Sequence, residues 1–329
     1  MRILIFTPTD PLPLFQAITQ HTGAEPVAIS SLEELVQKLP TAEGLVIGSG
    51  TYRQIVPEIR KTAAMLKWIQ LSAAGYEAYQ DLGAPEGVLV MRAAGVWGRS
   101  VAGHALALLM ALLRRLPDAE RARQSSKWTR SDTQPNLLSL PGLRVLLLGH
   151  GDIGATLAPV LRLLGAQVTV VARTGRQDAS VHIQPISELD CYLPEAEIVI
   201  MTLPLNAQTD RLLDRSRLAA LPQGAFVINV GRGELVDEAA LFDLLATGHL
   251  GGAGLDVFIR EPLDASSPLW SLENVVLTPH TAAFGDRESL YRLGELVVEN
   301  IGLIASGHEP KGLVGVGDSG RTLIHSKNT

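Results

Sequence analysis

The chain has 329 residues, of which 46% are hydrophobic and 19% charged, with a net charge of -6 and a pI near 5.8. This length predicts two domains, and the acidic balance without any Lys/Arg run argues against nucleic acid or anionic membranes as partners. The lone cysteine, Cys191, cannot build a disulfide framework, which favours a reducing cytoplasm.

The apolar segments at the start of the chain and near residue 100 predict a protein outside the membrane. Residues 1–6 read as a first strand, because they lack the basic start, long apolar stretch and cleavage site of a signal peptide. The most apolar segment, residues 101–113, is shorter than the roughly 20 residues that span a bilayer. It predicts a buried core helix, and the expected location is cytoplasmic.

Short apolar runs alternate with amphipathic stretches over the first third of the chain. This alternation predicts a parallel sheet covered by helices on both faces. Ser31 before Glu33 and Glu34 is typical of a helix start with acids in the first turn. The predicted strands are 2–6, 26–29, 44–47, 68–71 and 88–91, and the predicted helices are 12–20, 31–39 and 54–64.

A second alternating block follows a long apolar helix. That helix is predicted from about residue 98 to 116, with Pro117 marking its end and a polar helix tail and loop after it. The chain should close with a helix over about 286–306 and an extended or partly loose tail. The block's predicted strands are 144–148, 167–171, 198–202, 225–229, 252–255 and 275–277, and its predicted helices are 153–164, 209–221 and 238–246.

A glycine-rich turn joins the first strand and helix of this block. Residues 149–154 read Gly-His-Gly-Asp-Ile-Gly, the G-x-G-x-x-G pattern in its strand-to-helix context. The first glycine allows a tight turn, the second lets the backbone approach a pyrophosphate, and the third lets the helix pack on the strand. This turn predicts dinucleotide binding through Gly149, Gly151, Asp152, Ile153 and Gly154, whereas His150 is expected to be a solvated bystander.

The end of the next strand predicts which dinucleotide is bound. An acid there would accept hydrogen bonds from the ribose hydroxyls of NAD, but this chain has Ala172 followed by Arg173, Thr174 and Arg176. Two arginines and a threonine suit a 2′-phosphate, so NADP is predicted as the preferred cofactor and NAD as the alternative. The other interpretation of these residues is a solvated basic turn.

Three charged residues follow later strands and can converge at the carboxyl edge of one sheet. Reduction of a 2-keto acid needs three groups from the protein. An arginine holds the substrate carboxylate with two charge-assisted bonds, a histidine donates a proton, and an acidic side chain beside that histidine raises its pKa. Arg232, His280 and Glu261 supply that set. Taken singly, each could be an ordinary surface or loop residue, but together they predict a catalytic site without a metal.

With these motifs, the second block resembles the D-isomer-specific 2-hydroxyacid dehydrogenase family. The resemblance runs from about residue 96 to 283 and extends more weakly over the whole chain. Glu261 follows Arg232 by 29 positions and His280 follows Glu261 by 19, which matches the family spacing. The resemblance rests on residues 149–154, Leu203-Pro204 followed by Thr209, residues 229–233, Glu261-Pro262 and residues 278–280.

The resemblance implies a fold of two doubly wound α/β domains. A Rossmann cofactor domain, residues 98–284, would be inserted into a flavodoxin-like substrate domain, residues 1–97 completed by 285–329. Family members are usually cytosolic homodimers, and the helix at 101–113 would contribute to the dimer contact. The chain is therefore expected to be a homodimer that acts on a small 2-keto or 2-hydroxy acid.

The resemblance also implies individual roles. Arg232 would bind the substrate carboxylate and carbonyl, His280 would be the acid/base, and Glu261 its partner. Asp256 would hold the nicotinamide carboxamide. Leu203 and Pro204 would line the adenine pocket, with Thr209, Val230 and Gly231 as further cofactor contacts, and the backbone of Ser72, Ala73, Ala74 and Gly75 would hold substrate carboxylate.

Three departures from the family pattern are visible. The ribose acid is absent, Gly103 replaces a common glutamate, and Arg92 replaces a common asparagine. Arg92 could be a substrate-side charge or a surface residue, and the surface is the favoured interpretation. Formate dehydrogenases usually carry glutamine at the Glu261 position, which disfavours that branch.

The Pro268-Leu-Trp270 segment resembles the glyoxylate/hydroxypyruvate reductase branch, where an aromatic residue closes the pocket. A core or interface role for Trp270 is the alternative. Two other functions use the same framework: oxidation of another small anion such as phosphite, and a non-enzymatic, nucleotide-sensing corepressor module. The short tail and the lack of an evident peptide surface disfavour the second.

Overall fold

The computed structural model describes residues 1–8, 10–178, 181–284 and 287–317. Residue contacts divide the chain into two compact units, Met1–Trp97 with Gly285–Thr329 (unit 1) and Gly98–Phe284 (unit 2). Unit 2 therefore interrupts unit 1 along the sequence. The predicted helix start at residue 286 and the predicted tail beyond residue 317 lie outside the described residues.

Strands and helices alternate along most of the described chain. The strands are β1 (Arg2–Phe6), β2 (Glu25–Ala28), β3 (Gly44–Ile47), β4 (Trp68–Leu71), β5 (Leu89–Met91), β6 (Arg144–Leu148), β7 (Gln167–Ala172), β8 (Arg176–Asp178), β9 (Val181–Pro185), β10 (Ile198–Met201), β11 (Ala225–Asn229), β12 (Leu250–Leu255), β13 (Val275–Leu277) and β14 (Leu313–Val316). The helices are α1 (Leu12–His21), α2 (Leu32–Lys38), α3 (Ser49–Thr62), α4 (Glu77–Leu82), α5 (Gly98–Leu113), α6 (Leu116–Gln124), α7 (Arg130–Thr133), α8 (Asp152–Leu163), α9 (Leu189–Tyr192), α10 (Arg215–Ala219), α11 (Glu238–Ala246) and α12 (Arg287–Ala305).

The sheet of unit 1 has the order β2-β1-β3-β4-β5-β14, in which the first five strands are parallel and β14 is antiparallel to β5. The order 2-1-3-4-5 is that of flavodoxin-like folds. Alternate residues of β1 face different cores: Leu4 packs with α2 and α3, whereas Ile3 and Ile5 pack with α1 and α12. Both faces of the sheet are thus covered, as predicted.

The sheet of unit 2 has the order β13-β12-β11-β10-β6-β7-β9-β8, parallel except for the hairpin of β8 and β9. Starting at β6, the parallel strands follow the Rossmann order 3-2-1-4-5-6 with one more strand beyond. The apolar helix α5 packs against α8 and crosses β11, β12 and β13. A doubly wound α/β fold in both units confirms the predicted fold class.

The predicted start of α2 was right, whereas the predicted end of the apolar helix α5 was wrong. Ser31 caps α2 by accepting a hydrogen bond from the Glu34 amide at 3.1 Å, as its pattern predicts. The apolar helix ends at Leu113 rather than 116, and Pro117 lies in the first turn of α6 instead of ending α5. Proline is tolerated in a first turn because that turn needs no amide donor.

The helix predicted over 209–221 was too long, because the structure has only α10, Arg215–Ala219, in this range. The Asp214 carboxylate starts it by accepting from the Arg217 amide at 2.9 Å. Residues before it form a bridge instead, since the Leu213 amide donates to the Leu235 carbonyl at 3.0 Å. This is a long-range bond that local pattern cannot reveal. Among the described helices, none combines the length and the apolarity needed to cross a bilayer.

Candidate active site

The glycine turn between β6 and α8 has the geometry its three glycines predict. Gly149 has φ of +109°, which favours glycine, and a Cβ there would lie 2.6 Å from the Thr202 hydroxyl. A Cβ on Gly154 would lie 2.0 Å from the Gly149 carbonyl oxygen. The first and third glycines are therefore required by the turn and by the close approach of α8 to the strand end.

Gly151 differs, because a Cβ built on it would meet no described atom within 4 Å. It is the residue immediately before α8, whose first turn begins at Asp152 and Ile153, and the amides of a first helical turn point out of the helix N-terminus. Open space in front of a helix N-terminus fits a pyrophosphate. The residues present therefore fit a dinucleotide, with Gly149, Gly151, Asp152, Ile153 and Gly154 forming the turn that would hold its phosphates.

The ribose corner lies where β7 ends at Ala172. Arg173 and Thr174 follow as exposed residues, and Arg173 forms no ion pair with any residue that the structure describes. Arg176 opens β8, a strand that the sequence pattern did not predict, and its guanidinium donates to the His150 carbonyl at 3.4 Å. One of the two arginines thus reaches the glycine turn itself.

The loop after β10 contains the predicted adenine contacts. Leu203 is buried and Pro204 is exposed. The Thr209 hydroxyl donates to the Pro204 carbonyl at 2.7 Å and accepts from the Asn206 amide at 2.8 Å. Thr209 is thereby placed to shape this loop, since its hydroxyl is occupied by two bonds inside the turn.

The loop after β11 is held by Asn229, a residue that sequence reasoning used only as part of a motif. Its side chain donates to the Arg232 carbonyl at 2.7 Å and accepts from the Gly231 amide at 3.0 Å. Val230 is buried, and a Cβ on Gly231 would lie 2.8 Å from the Leu203 carbonyl oxygen. An asparagine at the end of a strand is a signal for such side-chain bonds to the following loop.

His280 and Glu261 are in contact, although they lie 19 positions apart in the chain. The imidazole Nδ1 lies 2.7 Å from the Glu261 carboxylate, whose other oxygen accepts from the Phe258 amide at 3.1 Å. This bond raises the pKa of His280 against the opposing effect of burial. Burial would raise the pKa of Glu261, but the bonds from His280 and the Phe258 amide bring it below its ordinary value. The pair therefore favours an imidazolium beside a carboxylate.

Arg232 lies close enough to influence both members of this pair. After the bond from His280, the Arg232 charge is among the effects that lower the pKa of Glu261, and it opposes the rise in the pKa of His280. The guanidinium is partly buried and donates to the Gly231 carbonyl at 2.6 Å. The structure thus brings together the three residues predicted to form the catalytic set.

Asp256 is almost fully buried, and both of its carboxylate oxygens accept hydrogen bonds from the loop that carries His280. The donors are the Thr278 hydroxyl at 2.7 Å and the amides of Thr281 and Ala282 at 2.9 and 3.0 Å. His104 Nε2, on α5, lies 2.9 Å from the same hydroxyl. Sequence reasoning missed this network, which gives Asp256 a role in building the loop.

The backbone of His280 is held in a conformation that few side chains adopt. Its φ is +53°, and its amide donates to the Asp256 carbonyl at 2.8 Å. Left-handed backbone at a residue other than glycine costs free energy and persists only where the surroundings impose it. The bonds around Asp256 supply that constraint and fix the direction of the imidazole.

A pocket of about 540 Å³ opens beside the His280–Glu261 pair within unit 2. Trp270 forms part of its wall while remaining 56% exposed, and its indole N–H donates to the Asp264 carbonyl at 3.0 Å. The lining residues are Phe258, Glu261, Pro262, Leu263, Trp270, Leu277, Thr278, Pro279 and His280.

In unit 1, the loop that follows β4 carries the predicted backbone site, Ser72, Ala73, Ala74 and Gly75. Its carbonyls are used: that of Ser72 accepts from the Trp97 indole at 2.9 Å, and that of Ala73 from the Ala93 amide at 2.9 Å. The amides of Ala73, Ala74 and Gly75 have no acceptor among the described residues. They remain available to a ligand.

Two departures from the family pattern can now be located. Gly103 is exposed, and a Cβ there would meet no described atom within 4 Å. Arg92 is partly buried, with its guanidinium carbon 6.0 Å from the centroid of the Tyr76 ring. The favoured interpretation of Arg92 as a surface residue therefore stays a prediction, with the side chain over an aromatic ring that directly follows the loop at 72–75.

Residues 106–282 match the model of the NAD-binding domain of D-isomer-specific 2-hydroxyacid dehydrogenases. The chain is 33% identical to a glyoxylate/hydroxypyruvate reductase B from Pectobacterium carotovorum, over 88% of this chain and 90% of that protein. It also matches a D-3-phosphoglycerate dehydrogenase from Mycobacterium tuberculosis at 34% identity, over 87% of this chain and 53% of the relative. It thus spans about half the length of such relatives.

Solved structures agree with this family. A D-isomer-specific 2-hydroxyacid dehydrogenase family protein from Aeromonas salmonicida superposes with a TM-score of 0.85 at 26% identity, covering 95% of this chain and 98% of that one. A family member from Xanthobacter autotrophicus, solved with NADPH and MES, gives 0.76 at 28% identity, covering 95% and 97%. From its sequence, its fold and these matches, the chain belongs to the D-isomer-specific 2-hydroxyacid dehydrogenase family.

Proposed function

We propose that this chain is a nicotinamide-dependent reductase of small 2-keto acids that also oxidises the corresponding 2-hydroxy acids. The observation that carries the proposal is the 2.7 Å pair of His280 and Glu261, close to Arg232, on the sheet that carries the glycine turn. A proton donor, its partner and an anion-binding fork are what this reaction needs from a protein. Unit 2 would be the dinucleotide unit and unit 1 the substrate unit.

The proton path follows from the pair. Glu261 accepts from Nδ1 of the His280 imidazolium, so the second N–H, on Nε2, is left to donate to the carbonyl oxygen of a keto acid. A reduced nicotinamide dinucleotide, with its pyrophosphate at the glycine turn, would supply the hydride to C2 when bound. In the oxidative direction, neutral His280 would accept the hydroxyl proton at the same nitrogen.

Arg232 would hold the carboxylate and polarise the carbonyl. Its planar fork can form two charge-assisted bonds, and its charge stabilises negative charge developing on the carbonyl oxygen. The unpaired amides of Ala73, Ala74 and Gly75 would provide further carboxylate donors. Asp256 already accepts three hydrogen bonds from the His280 loop. To hold the nicotinamide carboxamide as well, its carboxylate would accept a fourth.

Small 2-keto acids such as glyoxylate and hydroxypyruvate are the proposed substrates. Trp270 in the pocket wall supports this, as does the similarity to a glyoxylate/hydroxypyruvate reductase B. An indole beside the His280–Glu261 pair limits the length of the group next to the reacting carbon. The family resemblance further suggests a cytoplasmic homodimer.

NADPH is the proposed preferred cofactor. Ala172 provides no acceptor for ribose hydroxyls, while Arg173 and Arg176 offer charge-assisted donors to a 2′-phosphate. The relative from Xanthobacter autotrophicus was solved with NADPH. Two partly screened contacts predict a kcat/KM ratio for NADPH over NADH on the order of 30- to 150-fold.

The test is a panel of glyoxylate, hydroxypyruvate, pyruvate and phenylpyruvate with NADPH and with NADH at one ionic strength, with phosphite oxidation as a separate arm. Reduction of the small keto acids with an NADPH preference is expected. Absence of turnover with every keto acid would refute the proposed activity, and phosphite oxidation in its place would assign the same residues to a different anion. Equal use of the two cofactors would indicate that Arg173 and Arg176 form a solvated basic turn and do not contact a 2′-phosphate.

A further inference from the structure

The buried carboxylate that follows β12 has a histidine beside it. Asp256 is 1% exposed, and a buried charge costs free energy unless hydrogen bonds or an opposite charge compensate for it. Within the described parts of the chain, His104 is the only ionisable residue within ion-pair distance of Asp256: its Nε2 lies 3.5 Å from a carboxylate oxygen. The mechanism outlined above gives this second histidine no part.

The direction of each hydrogen bond in this network follows from the groups themselves. An ionised carboxylate can only accept, so the Thr278 hydroxyl donates its single proton to Asp256, at 2.7 Å. The contact of 2.9 Å between the same hydroxyl oxygen and His104 Nε2 must then be donated by the imidazole. Because each bond in such a chain polarises the next, the N–H of His104 strengthens the bond from Thr278 to Asp256.

The donor comes from a helix that is fixed to the sheet. His104 lies on α5, which packs against β11, β12 and β13, and its neighbours Val101, Ala105 and Leu108 are buried. A side chain on a packed helix has a better defined position than one on a loop. The imidazole is therefore a fixed point to which the loop after β13 is tied through Thr278.

That loop carries His280. Asp256 accepts from the Thr278 hydroxyl, just before His280, and from the amides of Thr281 and Ala282, just after it. The loop is thus held on both sides of the imidazole. The φ of +53° at His280 persists only where the surroundings impose it, and these bonds are the ones that impose it.

We propose that His104 is a positioning residue of the reaction: its Nε2–H holds the Thr278 hydroxyl on Asp256 and thereby keeps the loop that carries His280 in the conformation needed for proton transfer. This inference rests on the proposed function, in which His280 exchanges the proton with the substrate. His104 acts through Thr278 and not on the substrate itself. The property that matters is its N–H donor, and not the size of its side chain.

The experiment compares wild type with His104→Gln, which keeps an N–H donor, and with His104→Leu, which fills the space without one. His249→Leu is the matched control. His249 is also partly buried in unit 2, but it precedes β12 at the end opposite to Asp256, and its Nε2 has no hydrogen-bond partner among the described residues. The measurements are kcat and KM for glyoxylate, the melting temperature, and amide hydrogen exchange followed by NMR.

His104→Leu should lower kcat about tenfold, the value of one buried hydrogen bond, and leave the KM for glyoxylate near that of wild type because Arg232 is untouched. The amides of Thr281 and Ala282 should exchange about tenfold faster, while amides elsewhere in unit 2 stay protected. His104→Gln should retain most of the wild-type kcat and protection, and His249→Leu should match wild type in both.

Two results would assign His104 to packing alone and overturn the proposal. One is an equal loss of kcat in His104→Leu and His104→Gln, since only one of them lacks the donor. The other is a change in both kcat and KM together with a lower melting temperature and faster exchange throughout unit 2. Faster exchange at Thr281 and Ala282 with an unchanged kcat would also contradict it, because the loop would then be free to relax without cost to the reaction.

Amide exchange separates this inference from the proposed function, since it needs no substrate. If wild type reduces no keto acid, but exchange at Thr281 and Ala282 rises in His104→Leu and not in His104→Gln, the support of the loop by His104 stands and the activity fails. If glyoxylate is reduced and His104→Leu equals wild type in kcat and in exchange, the activity stands and the positioning role is wrong.

Discussion

Two sites of unit 2 hold their charged side chains differently: the His280 corner, formed by His280, Glu261 and Asp256, and the ribose corner, formed by Arg173 and Arg176. At the His280 corner, the imidazole is bound to Glu261, Glu261 also accepts from the Phe258 amide, and the backbone is tied to Asp256. At the ribose corner, Arg173 is exposed without an ionic partner among the described residues, and Arg176 has only a long bond to the His150 carbonyl.

The difference reflects what each corner is proposed to do. A group that transfers a proton must have a set pKa and a set direction before substrate arrives, so its partners belong to the protein. A group that recognises a phosphate is most useful while its donors are still uncommitted, so its partner is the ligand. Substitutions at the two corners should therefore affect different kinetic constants.

The largest effect should come from His280→Ala. Loss of the positioned acid/base is expected to lower kcat for keto acid reduction by on the order of 10²- to 10⁴-fold. Cofactor affinity, measured by fluorescence titration, should remain near wild type because the ribose corner is untouched. His308→Ala, an exposed histidine of unit 1, is the control. Turnover near that of wild type in His280→Ala would remove this residue from the mechanism.

Arg232→Lys should have the next largest effect. Lysine keeps the charge but loses the planar fork, so kcat/KM for the keto acid should fall by roughly 10- to 150-fold, the value of one good charge-assisted contact. The dissociation constant of NADPH should change little. The opposite pattern, with weaker cofactor binding and unchanged turnover at saturation, would make Arg232 a nucleotide residue.

Substitution at the ribose corner should be smaller and confined to one cofactor. Arg173→Ala is expected to lower kcat/KM for NADPH by about tenfold, to spare NADH, and to flatten the salt dependence of NADPH binding. Arg215→Ala, which removes an exposed arginine paired with Asp243 in the same unit, is the matched control. Equal losses with NADPH and NADH would argue against a 2′-phosphate contact.

Glu261→Gln should change the pH profile more than the maximal rate. Because Glu261 raises the pKa of His280, wild-type reduction should persist above the ordinary histidine pKa and be lost as the pH rises through the raised value. In the variant that loss should begin at lower pH, while the rate in acid stays within a few fold, on the order of 1 kcal/mol. Coincident profiles for the two enzymes would show that the carboxylate does not tune the imidazole.

Local sequence was sufficient for some of these features. The glycine turn could be predicted because its three glycines act within six residues of chain, and the start of α2 because Ser31 and Glu34 are neighbours on one turn. The hairpin of β8 and β9 and the short α10 were missed. Their form depends on pairing with strands and loops that local pattern does not identify.

By itself the sequence determined the alternation of strands and helices and the glycine turn, and it predicted the Arg232, Glu261 and His280 set, since these depend on local pattern and spacing. Only the tertiary structure decided that Asp256 organises the His280 loop, that His104 supports Thr278 from 174 residues away, and that Arg92 lies over Tyr76. Such contacts join residues far apart in the chain, so they exist only after the sheets have formed.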